Sequence, residues 1–463
     1  MSKTSSQPLL VNVSPSAGLP PYQTYPTTYQ TINIPVSLHI EVQPPRPRPS
    51  LARRFFIAFS VAVSIWVIIA SVHHHGHGSG WYGRDDWDVP ANMILEQCVR
   101  GGASSNSSHA IFEIPLNSDT VLLLSRYRSS SFFGAGSSVS GSLGITTSPR
   151  LNNTAKISVH SLHGADTKAC LVTGPDGETG VGLFSKGAWF SPGRGTSFVK
   201  INVLLPRPKT PLELNGIVAN LPNFSFDVGN LKDSVHFGSA TFTTSNSPVN
   251  VKSLTADRAR LHSSNGQITV DSLISPDLTV QTSNSGISGT FNTSGTLKIT
   301  TSNAPIKANV NLESNDKNRP TEVHMCTSNH RLDVKVILVT DARAGGDFVV
   351  TGTTSNGPLA IAVPGSPADS TLSLTARTSN KPADVRLHGA YQGAFGVSTS
   401  NFKPEVKRVD EEGDGRHVEY EGVGGGRRGG HGAIKGWVYE KDRNRELGNV
   451  TVRTSNAAAV LWV

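Results

Sequence analysis

Around each of nine Ser-Asn dipeptides in the second half of the chain, apolar and polar residues trade places at every second position. Aligned on the asparagine, positions two, four and six before it read Ala240, Phe242, Thr244 in the first copy and Ala259, Leu261, Ser263 in the second. Later copies give Leu278, Val280, Thr282, then Leu297, Ile299, Thr301, and finally Val450, Val452, Thr454. The intervening residues, such as Arg260 and His262, Lys298 and Thr300, or Arg453, are polar. Period-two alternation predicts a strand with one buried face. Three and five residues after the asparagine the chain is apolar again: Val249/Val251, Ile268/Val270, Ile306/Ala308, Leu332/Val334, Leu359/Ile361, Ala459/Leu461. Each repeat therefore reads strand, Ser-Asn corner, strand.

The nine asparagines are Asn246, Asn265, Asn284, Asn303, Asn329, Asn356, Asn380, Asn401 and Asn456. The first four are spaced by 19 residues, the next steps are 26, 27, 24 and 21, and the last is 55. A recurring period of this size predicts a β-solenoid, with one repeat per rung. Asparagine suits a corner for two reasons. It tolerates left-handed backbone angles, and its amide both donates and accepts. Stacked at the strand spacing of about 4.8 Å, identical amides form a ladder.

Upstream, alternating or apolar segments predict strands at 111–114, 121–124, 155–159, 170–172 and 199–205, separated by turn clusters such as Gly174-Pro175-Asp176-Gly177. They form a β lead-in over residues 105–214, expected to cover the open edge of the first rung, with the solenoid occupying 215–463. Asp88-Val89-Pro90 through Cys98 carries start and stop signals for one short helix. The long step before Asn456 holds Asp410-Glu411-Glu412-Gly413-Asp414-Gly415 and Gly424-Gly425-Gly426-Arg427-Arg428. It predicts a disordered insert over about 408–447, with the final repeat closing the stack.

Forty-five glycines and few aromatics fit this turn-rich β reading. One segment departs from it: Phe55 to Val72 is an uncharged apolar run, long enough at about 27 Å to span a bilayer as a helix. Arg46, Arg48, Arg53 and Arg54 precede it and Asp85, Asp86 and Asp88 follow. The positive-inside rule then places the N-terminus in the cytosol, with the solenoid at the cell surface or in the secretory pathway. A signal peptide fits less well, because 54 residues precede the run. Residues 1–54 are proline-rich and low in charge, a composition that predicts a disordered tail. Pro44-Pro45-Arg46-Pro47-Arg48-Pro49 reads as a basic spacer, and His73-His74-His75-Gly76-His77 as a polar stalk rather than a metal site. The net charge of +8 is not gathered into a basic stripe interleaved with aromatics, so no nucleic-acid partner is expected.

Sequons stand at Asn106, Asn152, Asn223, Asn292 and Asn449. Three cysteines, Cys98, Cys170 and Cys326, permit one disulfide and one free thiol. Cys326 falls at an outward position of its repeat, which favours Cys98–Cys170 as the pair while leaving the pairing open.

Three segments carry a family likeness: Phe112 to Thr120 (FEIPLNSDT), Asn220 to Ser225 (NLPNFS), and Thr301 to Ile306 (TSNAPI). Together they resemble single-pass fungal membrane proteins with a domain of unknown function, whose repeats are similar to bacterial adhesin-type β-helix domains. The resemblance spans roughly residues 105–463. It implies a β-helical ectodomain and no catalytic residues.

β-Helices also house polysaccharide-cleaving enzymes, which need carboxylates paired about the glycosidic bond or holding a metal. Four residues after the asparagine, late repeats place Asp333, Ala360, Asp384 and Glu405 in one outward column, with Arg386 and Lys403 beside it. On neighbouring rungs Asp384 and Glu405 would lie roughly 5 Å apart, the one candidate catalytic pair. Earlier rungs put Asn250, Thr269, Ser288 and Lys307 there, so no acidic groove runs the length of the stack. No Walker loop, CxxC or HExxH motif occurs. The expectation is a membrane-anchored, adhesin-like structural protein without catalytic, cofactor or metal residues, contacting glycans or cell-wall components. A carbohydrate-active enzyme is the alternative.

Overall fold

The structure is a computed structural model and describes residues 87–463 apart from 103–107, 117–119, 129–138, 164–165, 187–197, 315–318, 341–344, 409–415 and 422–431. The proline-rich tail, the apolar run 55–72 and the histidine cluster 73–77 lie outside the described residues. Among those described, no helix is long and apolar enough to cross a membrane.

The described chain is all-β. Strands that precede the corners stack in parallel as one sheet: Val235–Thr244, the second half of Val249–Ser263, Asp277–Thr282, Thr296–Thr301, Thr321–Thr327, Asp347–Thr354 and Thr371–Arg377. Strands that follow the corners stack as a second: the first half of Val249–Ser263, then Ile268–Ile274, Ile287–Thr293, Ile306–Glu313, Leu332–Val339, Leu359–Ala362 and Ala383–Arg386. This is the strand arrangement of a β-solenoid. The alternation assigned from sequence holds in register. Val280, Ile299 and Met325 are successive partners at 0–1 % exposure, while Lys298 between Thr279 and His324 is exposed. Apolar residues from both sheets meet in one continuous core, with Phe224, Phe242, Phe291 and Phe348 among its largest fully buried members.

Both ends depart from sequential order. The final repeat does not close the stack. Gly448–Thr454 inserts between Thr371–Arg377 and Gly393–Thr399, and Ala459–Trp462 inserts between Ala383–Arg386 and Glu405–Lys407. The Asn401 rung is therefore the outermost. The insert before Asn456 makes this possible, and it is not wholly irregular. His417–Glu421 and Gly432–Tyr439 form an antiparallel pair on the edge of Gly393–Thr399, followed by a short 3-10 turn at Asp442–Glu446. A hairpin laid on the last parallel strand protects its edge from pairing with other chains.

The other end repeats the device. Thr120–Arg128 and Ser140–Ser148 are parallel members of the two stacks, lying between a Thr179–Lys186/Phe198–Pro206 rung and a Leu212–Asn220/Phe224–Asn230 rung. The stacking thus runs through much of the region expected to be a separate lead-in. Antiparallel strands cover the outer edges: Thr167–Thr173 and Ile94–Arg100 on one sheet, Thr154–Leu162 and Ser108–Pro115 on the other. The helix expected from Asp88 to Cys98 is absent, because a turn at Ala91 and Asn92 leads straight into Ile94–Arg100. Pairing with Thr167–Thr173 outweighed the local helix signals there, and Cys98, register partner of Cys170, is disulfide-bonded to it. Cys326 is free and exposed.

Candidate functional site

The Ser-Asn corners bring the most regular set of side chains together. Each asparagine Nδ2 donates to the Oδ1 of the asparagine one rung away: Asn265 to Asn246 at 2.7 Å, Asn284 to Asn265 at 2.7 Å, Asn303 to Asn284 at 2.8 Å. The column continues through Asn329, Asn356 and Asn380. It then passes to Asn456 at 2.7 Å, and Asn401 donates to Asn456 at 2.5 Å. Asn223 extends it at the other end, accepting from Asn246 at 2.5 Å. The sequence pattern missed Asn223 because it sits in Pro-Asn rather than Ser-Asn.

The left-handed rationale fails for the corners themselves. Among the described residues the non-glycine positive φ values belong to Asn92, Ser161, Asn223, Asp233 and Asp369. None of the nine Ser-Asn asparagines is among them. Their selection therefore rests on the amide ladder, not on backbone tolerance. Threonine two residues earlier has its own reason. Thr301, Thr327 and Thr378 are buried and donate their hydroxyls to backbone carbonyls of Ser285 at 3.2 Å, Ala304 at 3.0 Å and Gly357 at 3.2 Å. A buried hydroxyl needs such a partner, and here it also ties successive corners together.

The candidate catalytic column is dismantled by the rung order. Val460 is the register partner of both Asp384 and Glu405, so one strand separates the two carboxylates. Two strand spacings put their backbones roughly 10 Å apart, twice the distance expected from chain order. Each carboxylate instead meets a cation two residues away in sequence. Asp384 meets Arg386 at 3.3 Å, Glu405 meets Lys407 (rather than the expected Lys403) at 3.2 Å, and Asp333 meets Arg331 at 3.0 Å. Between the two cations lies Trp462, with Arg386 at 5.2 Å and Lys407 at 4.9 Å from its ring centroid. Trp462 was not legible as part of this surface, because its neighbours are far away in sequence.

A cleft of about 560 Å³ near the distal end is lined by His388, Tyr391, Gln392, Ser370, Lys441 and Asn444, among others. Burial, with the charge of Arg416 second, pushes His388 down to about 4, so the ring is neutral at pH 7. Its Nδ1 accepts from the Ala390 N–H at 3.1 Å, and its Nε2 is buried with no hydrogen-bond partner among the described residues. Among the described residues no hydroxyl or thiol hydrogen-bonds to the imidazole. Burial likewise pushes the Tyr391 phenol up, and its hydroxyl donates to the Ala394 carbonyl at 2.7 Å. Among the described residues no cluster of three or more His, Cys, Asp or Glu side chains is placed to hold a metal ion.

No protein-family model and no curated protein matches this sequence, so the likeness to fungal membrane proteins has no support from a family match. A solved structure of a candidate cell adhesion protein from Clostridium sporogenes ATCC 15579 aligns over 77 % of this chain and 98 % of its own. Identity is 10 % and the TM-score is 0.15, too low for the alignment to bear on fold or function.

Proposed function

We propose that the chain is a single-pass membrane protein whose β-stack is displayed outside the cytosol as an adhesin-like structural element, contacting glycans or cell-wall components without catalysis. One observation carries the reading. The Ser-Asn corners and the carboxylate column are committed to internal pairing, with amides in a ladder and Asp333, Asp384 and Glu405 each beside a cation, so they offer a stiff polar face rather than a reaction centre. The Cys98–Cys170 disulfide supports an oxidising compartment, in agreement with the topology expected from Phe55–Val72 and its arginine flank. Two sequons suit glycosylation on that side. Asn152 and Asn449 are exposed, whereas the Asn292 amide is held between Leu273 and Asn311.

Glycosylation reporters fused to each end test the topology, and only the C-terminal one should be modified. Modification of the N-terminal reporter would invert the orientation. Incubating the full-length protein with cell-wall polysaccharides should release no new reducing ends. Release that disappears in an Asp384→Ala/Glu405→Ala variant would establish the enzymatic alternative.

A further inference from the structure

The rung inversion at the distal end creates a patch that no local window of sequence contains. Arg377 and Arg453 are exposed register partners on adjacent strands, about 4.8 Å apart along the stack. Thr353 continues the column on one side and Ser398 on the other. The corner serines Ser379 and Ser455 run alongside, and the whole lines a groove of about 460 Å³. Like charges directly opposite one another on neighbouring strands destabilise a sheet, so such a pair calls for a counter-charge. On the other sheet Arg331, Arg386 and Lys407 each meet a carboxylate. Among the described residues Arg377 and Arg453 have no ion-pair partner. Glu421, which lines the space beside Arg453, is 3.9 Å from Lys435, which adds a further cation.

We propose that this groove binds the carboxylate or sulfate groups of an acidic polysaccharide. Guanidinium forks match planar oxyanions through two parallel hydrogen bonds. The flanking hydroxyls suit sugar hydroxyls, and two cations one strand apart suit successive charges on a linear polyanion. Nucleic acid fits less well, because no aromatic side chain lines the groove to stack a base. The inference rests on the glycan-contact reading above and names its ligand class.

Binding of full-length protein in detergent micelles to oligogalacturonate, dextran sulfate and neutral dextran, measured by isothermal titration calorimetry, tests it. At least one charged probe should bind, neutral dextran should not, and added salt should weaken the complex because the site is exposed. Arg377→Gln/Arg453→Gln should weaken binding by roughly tenfold or more, the scale of lost charge-assisted hydrogen bonds, with an unchanged melting curve. Arg260→Gln/Lys298→Gln, on the same sheet face at other rungs, should leave affinity as it was. The carboxylated and sulfated probes tell the two oxyanion sources apart, and binding of either supports the site. Undiminished affinity in the Arg377/Arg453 variant, or neutral dextran binding as tightly, overturns the site while leaving glycan contact standing. Failure of all three probes removes both.

Discussion

Ile299→Asp should cost roughly 3–5 kcal/mol, the scale for a buried charge left without a partner, and lower the melting temperature by several degrees. Ile299 is fully buried, with Val280 and Met325 as its neighbours above and below. No cation is among those partners, so the carboxyl must either stay charged in apolar surroundings or take a proton. Lys298→Asp, one residue away and exposed, should stay within about 0.5 kcal/mol of the parent. Melts of the two variants side by side read the strand register. A side-chain period of two means that a slip of one residue would exchange the two results.

Asn284→Ala is expected to cost about 1–2 kcal/mol. The substitution leaves Asn265 without a donor and Asn303 without an acceptor. Because the column is exposed, water replaces part of what is lost, which holds the figure below that of a buried network. Asn284→Gly should be worse than Asn284→Ala by about 0.5–1 kcal/mol. Asn284 does not have a positive φ, so glycine gains nothing from its left-handed freedom and adds chain entropy to the unfolded state. Thermal melts that rank glycine above alanine would restore the backbone explanation for the Ser-Asn corner. Equality of both variants with wild type would mean that the ladder contributes nothing.

The repeats were legible because their cause is local. Alternation at Leu297-Lys298-Ile299 reports directly on which side of a strand faces the core, and the burial of Ile299 and exposure of Lys298 follow. The asparagine column was legible for the same reason: of its two rationales the amide ladder holds and the left-handed backbone does not. What local reading missed was rung order. Chain order places Asn401 beside Asn380, yet Asn456 lies between them, because parallel strands can accept any partner with matching register and apolar face. The 55-residue step was visible, but nothing local says where the returning strand docks. That one inversion separates Asp384 from Glu405 and brings Arg377 beside Arg453, so both the failed catalytic pair and the anion groove stem from it. Residues 88–98 failed differently: turn and capping signals are weak priors, and pairing with a strand some seventy residues on, closed by the Cys98–Cys170 bond with its separation of 72, took precedence.

Cysteine cross-linking reads the rung order most directly. In a Cys326→Ser background, Asp384→Cys/Val460→Cys and Val460→Cys/Glu405→Cys each place two thiols on partner positions of adjacent strands, within the roughly 7 Å Cα limit for a disulfide. Asp384→Cys/Glu405→Cys places them two strands apart. Mild oxidation followed by proteolysis and mass spectrometry should find cross-linked peptides in the first two variants and none in the third. A cross-link in the third variant, with none in the first two, would put the Asn401 rung directly on the Asn380 rung and contradict the inverted order.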